Sequence, residues 1–306
     1  MSAAMAPEAR ASMARKRLST TSPASVTRAP SPRTSTASRA CSSPPGAADF
    51  RYIPAGITEA ALARLLLIAL ALLSAHAGAQ TRIAAAASVR PALDEIAAAF
   101  GRDVRIAYGS SGNLSTQIEQ GAPFELFLSA DEELPLKLAA SGRAEGKGVL
   151  YAAGRIVLFA PRGSPVRVDA GLPGLRQSLG NIRRFAIANP EHAPYGRAAE
   201  QALRAAGLWD AIRPRLVMGE NVSQAAQFAA SGSAQGGIFA WSLALEPALA
   251  KAGTHVLLPE KLHEPLRQRM ILLKGAGETA RAFYAHLQTP EARAVFKRRG
   301  FPLPGE

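Results

Sequence analysis

Four short stretches place hydroxyls or backbone N–H groups where an apolar run gives way to a helical pattern. They are Ser88 after Thr81–Ala87, Ser111 in Gly109-Ser-Ser-Gly112, Tyr195 in Asn189-Pro-Glu-His-Ala-Pro-Tyr-Gly196, and Val222 after Gly219-Glu-Asn221. A helix start carries N–H groups without intrahelical acceptors and a partial positive charge of about half a unit. Several such starts aimed at one point hold an anion without any Lys or Arg. Hydroxyls of Ser88, Ser110 or Ser111 would add donors, and each charge-assisted bond is worth about 1.5–3 kcal/mol. A fully ionised oxyanion only accepts hydrogen bonds, so a ring of neutral donors satisfies it. Taken singly, a Ser before a helix is most often just an N-cap, Ser88 included. What favours an anion site is the recurrence at one topological place.

Constellations for catalysis are poor. His192, His255, His263 and His286 lack the spacing of a metal site such as H-E-x-x-H, and no G-x-S-x-G elbow is present. His192 with Ser88 or Ser111 would be the pair for a secreted serine hydrolase, but no base is legible beside either Ser. Asp131-Glu-Glu133 reads as a solvated helix start. Gly275-Ala-Gly-Glu-Thr-Ala280 mimics a dinucleotide fingerprint, yet too little chain follows to complete that unit. No enzyme activity, cofactor or protein-bound metal cation is expected.

Apolar runs alternate with helical patterns along the chain. Leu93, Ile96, Ala97 and Phe100 form one helix face, and Ala198, Ala199, Ala202, Leu203 and Ala206 another that stops at Gly207. Asn221 with Gln224 makes a variant capping box, and the last helix runs from Pro290 to a basic turn and Gly300. The alternation predicts an α/β fold with mainly parallel sheets. Ligands of such sheets lie at the carboxyl ends of the strands, where the four stretches fall.

Before residue 80 the chain changes character. Residues 1–50 are rich in Ser, Pro, Ala, Thr and Arg, a composition that cannot bury enough surface to order itself. We expect a disordered leader over 1–59, most simply a start placed too far upstream, and a signal peptide over 60–79. Its apolar core is Leu62–Leu73, followed by Ala75-x-Ala77-x-Ala79. The expected location is therefore periplasmic. The one cysteine, Cys41, precedes the cut, so no disulfide or thiol site is expected afterwards. The net charge of +13 falls to 27 basic against 20 acidic residues from position 80 on. These are scattered without an aromatic stripe, which gives nucleic-acid binding little support.

Four segments, in order, resemble the periplasmic molybdate-binding proteins of ABC importers. They are Ala85-Ala-Ala-Ser-Val-Arg-Pro-Ala-Leu-Asp-Glu-Ile96; Gly109-Ser-Ser-Gly-Asn-Leu114 with Gln117-Ile-Glu-Gln-Gly-Ala-Pro123 and Leu128-Ser-Ala-Asp131; Asn189–Gly196; and Gly219-Glu-Asn-Val222. The resemblance runs from about residue 82 to Pro302. It implies a two-lobed Venus-flytrap (type II) fold, with lobe 1 formed by 80–155 and 265–306 and lobe 2 by 156–264. The chain would cross between lobes near Gly154–Ile156 and return near His263–Arg267. Molybdate or tungstate would be held in the cleft by Ser88, Ser111, Tyr195 and Val222, and delivered by a monomeric receptor to a membrane permease. A receptor of the same fold for sulfate or phosphate stays open, because fold does not fix ligand. One departure is Ala240, where some members place a ligand-touching Tyr; Tyr195 could compensate. The first strand is also unusually rich in Ala, which could loosen its packing.

Overall fold

The computed structural model describes residues 80–303. The expected leader, the signal peptide and Cys41 lie outside the described residues. Among the described residues the strands are β1 Thr81–Ala86, β2 Val104–Gly109, β3 Leu126–Leu128, β4 Val149–Gly154, β5 Ile156–Pro161, β6 Phe185–Ala188, β7 Leu216–Gly219, β8 Gly236–Ala240, β9 Gly253–Leu257 and β10 Leu266–Leu272. They form two open sheets, ordered β2-β1-β3-β10-β4 and β7-β6-β8-β5-β9.

Each sheet is parallel where strand–helix units build it and antiparallel where the chain changes sheet. In the first, β1 pairs in parallel with β2 and β3, while β10 runs antiparallel to β3 and β4. In the second, β6 is parallel to β7 and β8, while β5 is antiparallel to β8 and β9. The sheets are thus mixed. One residue, Arg155, separates the end of β4 from the start of β5, so the chain passes directly from one sheet to the other. It returns from β9 into β10.

Strand alternation gives the first sheet two buried faces, because successive side chains point to opposite sides. Ile83, Ala85, Leu126, Leu128 and Met270 join one cluster with Leu93, Ile96, Phe283 and Phe296 from three helices. Ala84, Phe127 and Ile271 join the other, with Leu114, Ile118 and Leu138. Full burial of a Phe or Leu contributes about 1.5–3 kcal/mol. In the Ala-rich β1, Ala84 and Ala85 are fully buried, one in each of these clusters.

The helix Pro194–Ala205 buries Ala198, Ala199, Ala202 and Leu203 of the face read from its spacing, and Tyr195 besides, while Ala206 caps its end and is only partly buried. Small residues here let the helix approach β6 and β8, which it contacts directly. What matters for the site is where the parallel strands stop. β1, β2 and β3 end facing the ends of β6 and β7, and each end hands the chain to a turn or helix start.

Candidate functional site

All four candidate residues reach one small cavity. It holds about 190 Å³ of empty space and is lined by Ala86, Ala87, Ser88, Gly109, Ser110, Ser111, Ala130, Ala193, Pro194, Tyr195 and Val222. No charged side chain lines it. The lining comes from the ends of β1, β2 and β3 on one side and from the segments after β6 and β7 on the other.

The backbone donors can be accounted for one by one, since the first N–H groups of a helix lack intrahelical acceptors. In the helix Ser111–Glu119, Gly112 N–H donates to His192 O at 2.9 Å and Asn113 N–H to Ser110 Oγ at 3.4 Å. In the helix Pro194–Ala205, Pro194 has no N–H, and Gly196 and Arg197 N–H donate to Ala193 O. In the helix Val222–Ala230, Ser223 and Gln224 N–H donate to Asn221 Oδ1 at 3.0 and 3.2 Å. The first-turn donors without such a use are those of Ser111, Tyr195 and Val222, three of the candidates.

The hydroxyls sort in the same way. Ser110 is the true N-cap, accepting from Asn113 and lying 2.9 Å from His192 Nδ1. Ser111 Oγ accepts from Ala130 N–H at 2.9 Å, which leaves its proton to donate. Ser88 departs from the N-cap expectation. It sits in a 3₁₀ turn, Ala87–Val89, ahead of the helix Arg90–Phe100, whose N-cap is Val89. Its Oγ is fully buried with no hydrogen-bond partner. The capping box differs too: Gln224 Oε1 reaches Glu220 N–H at 2.6 Å, one residue before Asn221.

Tyr195 is buried and its hydroxyl accepts from Gln268 Nε2 at 2.9 Å. Burial pushes its phenol above the ordinary value, with the Ser88 and Gln268 dipoles opposing. Ser88 is therefore near enough to act on Tyr195 electrostatically, although its Oγ has no bond of proper geometry. Behind them Tyr151 Oη lies 2.8 Å from Gln268 Oε1 and 3.1 Å from Ser129 O. Burial raises the Tyr151 pKa as well, so both phenols are neutral donors near neutral pH. Sequence reasoning misses Gln268. It falls at the inward position of β10 between Leu266 and Met270, and a lone amide on an apolar face is the signal that could have found it. Ala240 is fully buried, and β8 instead leads to Ser242, whose hydroxyl donates to Ser88 O at 2.9 Å.

Around the cavity the two sides are held together by polar contacts. Asp131, expected in a solvated helix start, is 8% exposed and pairs with Arg197 at 2.6 Å. Its Oδ1 accepts from Leu134 N–H in the first turn of the helix Glu133–Ala140, whose N-cap is Glu132. Ser223 Oγ donates to Ala87 O at 3.1 Å. His192 meets Ser110, with Glu220 Oε2 4.0 Å from its other ring nitrogen. Neither Ser88 nor Ser111, the serines named for a hydrolase, bonds to His192. The serine that does is already a helix cap.

The family of bacterial extracellular solute-binding proteins matches this sequence over residues 81–302. The chain belongs to that family. It is 38% identical to the molybdate-binding protein ModA of Rhodobacter capsulatus over 81% of this chain and 97% of the relative. It is 36% identical to ModA of Azotobacter vinelandii over 74% and 90%. A solved structure, the periplasmic molybdate-binding protein of Azotobacter vinelandii, superposes with a TM-score of 0.67 at 33% identity, covering 74% of this chain and all of that one. Members of the family are transport receptors, and the two α/β domains with open mixed sheets are the fold of such binding proteins.

Proposed function

We propose that this solute-binding protein is the periplasmic receptor for molybdate, and for tungstate with it, and that it delivers the ion as a monomer to an ABC permease. The observation that carries the reading is the set of donors left without a partner. The N–H groups of Ser111, Tyr195 and Val222, the hydroxyl of Ser88 and the hydroxyl proton of Ser111 are unused, and all these residues line one small uncharged cavity. A tetrahedral dianion supplies acceptors alone and fits that set. The identity to proteins named for molybdate selects among such ions. Tyr195 takes the place of the family Tyr that Ala240 lacks, with Gln268 fixing its hydroxyl from behind.

The test is calorimetric titration with molybdate, tungstate, sulfate and phosphate in turn. One-to-one binding of the first two with no heat from the others is the expected result. Binding of sulfate or phosphate alone would move the ligand and keep the site, and silence with all four would overturn the reading.

A further inference from the structure

Beside the cavity, one loop makes the nearest backbone approach between its two sides. Asn189–Ala193, after β6, lies over the start of the helix Ser111–Glu119 that follows β2, so elements of the two sheets meet there. Gly112 N–H donates to His192 O at 2.9 Å, His192 Nδ1 lies 2.9 Å from Ser110 Oγ, and Asn113 Nδ2 donates to Glu220 Oε1. None of these groups belongs to the donor set assigned to the ligand. The approach is closest at Gly112. A Cβ built there would lie 2.6 Å from His192 O, 2.9 Å from its Cα and 3.0 Å from its Cβ. The two shortest of these are to main-chain atoms of the facing loop, so no rotamer change relieves them.

Within its own helix Gly112 has no need to be glycine. Its φ is not in the left-handed region, and in an unstrained helical position Ala is the better residue. The absence of a side chain serves the contact with the opposite side alone. We propose that Gly112 and His192 are positioning residues for ligand retention: the bare Cα of Gly112 is the seat on which the His192 loop closes, and this contact sets how long the ion stays bound. The proposal rests on the receptor reading above.

Closure that is sterically blocked leaves the open form intact, so the effect falls on retention and not on folding. An affinity that depends on a closed state drops with the fraction of protein able to reach it, and the change appears chiefly in the dissociation rate. The experiment compares the full protein with Gly112→Ala. It measures molybdate affinity and dissociation rate, the melting temperature without ligand, and the contraction of the radius of gyration by small-angle scattering when molybdate is added. Expected are an unliganded melting temperature equal to or above wild type, a Kd raised about tenfold or more through faster release, and loss of most of the contraction. A second variant, Glu220→Ala, removes the neighbouring contact without adding bulk, and should speed release by a smaller factor.

Wild-type affinity, release and contraction in Gly112→Ala would overturn the proposal. So would a lowered unliganded melting temperature in Gly112→Ala together with unchanged release in Glu220→Ala, since the glycine would then be structural. If wild-type protein itself binds no molybdate, the receptor reading fails instead, and the two failures are distinct.

Discussion

Replacing Ser88 by Ala should move stability and binding in opposite directions. Its Oγ is fully buried and has no hydrogen-bond partner. Burying a hydroxyl in that condition costs about 1–3 kcal/mol. Ser88→Ala removes that cost and leaves a methyl in a turn flanked by Ala86 and Ala87. Unliganded stability should therefore hold or rise by about 1 kcal/mol, a gain of about 2–4 °C in a chain of this size. Binding should lose one charge-assisted donor, about 1.5–3 kcal/mol, or roughly ten- to a hundredfold in Kd. Differential scanning calorimetry with and without molybdate reads both effects. The unliganded transition stays or moves up, while the rise produced by a fixed molybdate concentration shrinks, because ligand stabilisation follows the ratio of concentration to Kd. Unchanged affinity would refute the assignment of unused donors to the ligand. A marked loss of unliganded stability would refute the claim that the hydroxyl is held unsatisfied for a ligand.

Ser111→Ala should differ from Ser88→Ala in sign on stability. It weakens binding by a similar factor but also orphans the Ala130 N–H that Ser111 Oγ accepts, so unliganded stability falls by about 1–2 kcal/mol, measurable by urea titration. Gly154→Ala should cost about 1–3 kcal/mol by overpacking, because its Cβ would sit 2.6 Å from Tyr195 Oη and 2.9 Å from both Gln268 Nε2 and Leu266 Cβ; a melting temperature equal to wild type would contradict this. Glu95 is held below the ordinary carboxylate value, first by its hydrogen bond from Arg299, against some desolvation and with help from Arg298. Its folded pKa is the lower one, so its contribution is complete above the ordinary value of 4.5 and is lost as pH falls through the folded value. Glu95→Gln should flatten the acid limb of a stability–pH profile between those two values by lowering its neutral plateau, and leave stability below the folded value nearly unchanged. The pair is partly exposed and screened, so the effect is small.

Much of the candidate site's placement was legible because each part announces itself locally. A small residue between an apolar run and a helical pattern marks a strand end and a helix start together, and this placed Ser88, Ser111, Tyr195 and Val222 at the carboxyl ends of strands. Long-range pairing left weaker marks. β9, which contains Thr254 and His255 and is partly exposed along its length, does not read as a continuous apolar run. The antiparallel entry of β10 depends on which neighbours it meets after the chain has crossed twice. Asp131 looked solvated because no basic residue near it in sequence pairs with it, whereas Arg197 lies 66 residues away. Gly112 was visible as part of a Gly-Ser-Ser-Gly turn, but its reason, the His192 backbone, lies on the opposite side of the cleft.

The serines show why a motif alone could not separate capping from binding. Ser88, Ser110 and Ser111 all precede or open helical segments, and residue type does not distinguish one from another. The structure separates them by what each oxygen and proton already does. Ser110 is engaged by Asn113 and His192. Ser111 is half engaged, accepting from Ala130 while keeping its proton. Ser88 is unengaged. An unengaged buried hydroxyl raises the free energy of the unliganded protein, and that energy is released when an acceptor arrives. It therefore contributes to the difference between the two states and not to the fold alone. Such a hydroxyl marks a binding position more sharply than its place in a motif does, and here it lies in the same cavity as the three helix-start N–H groups that no protein acceptor uses.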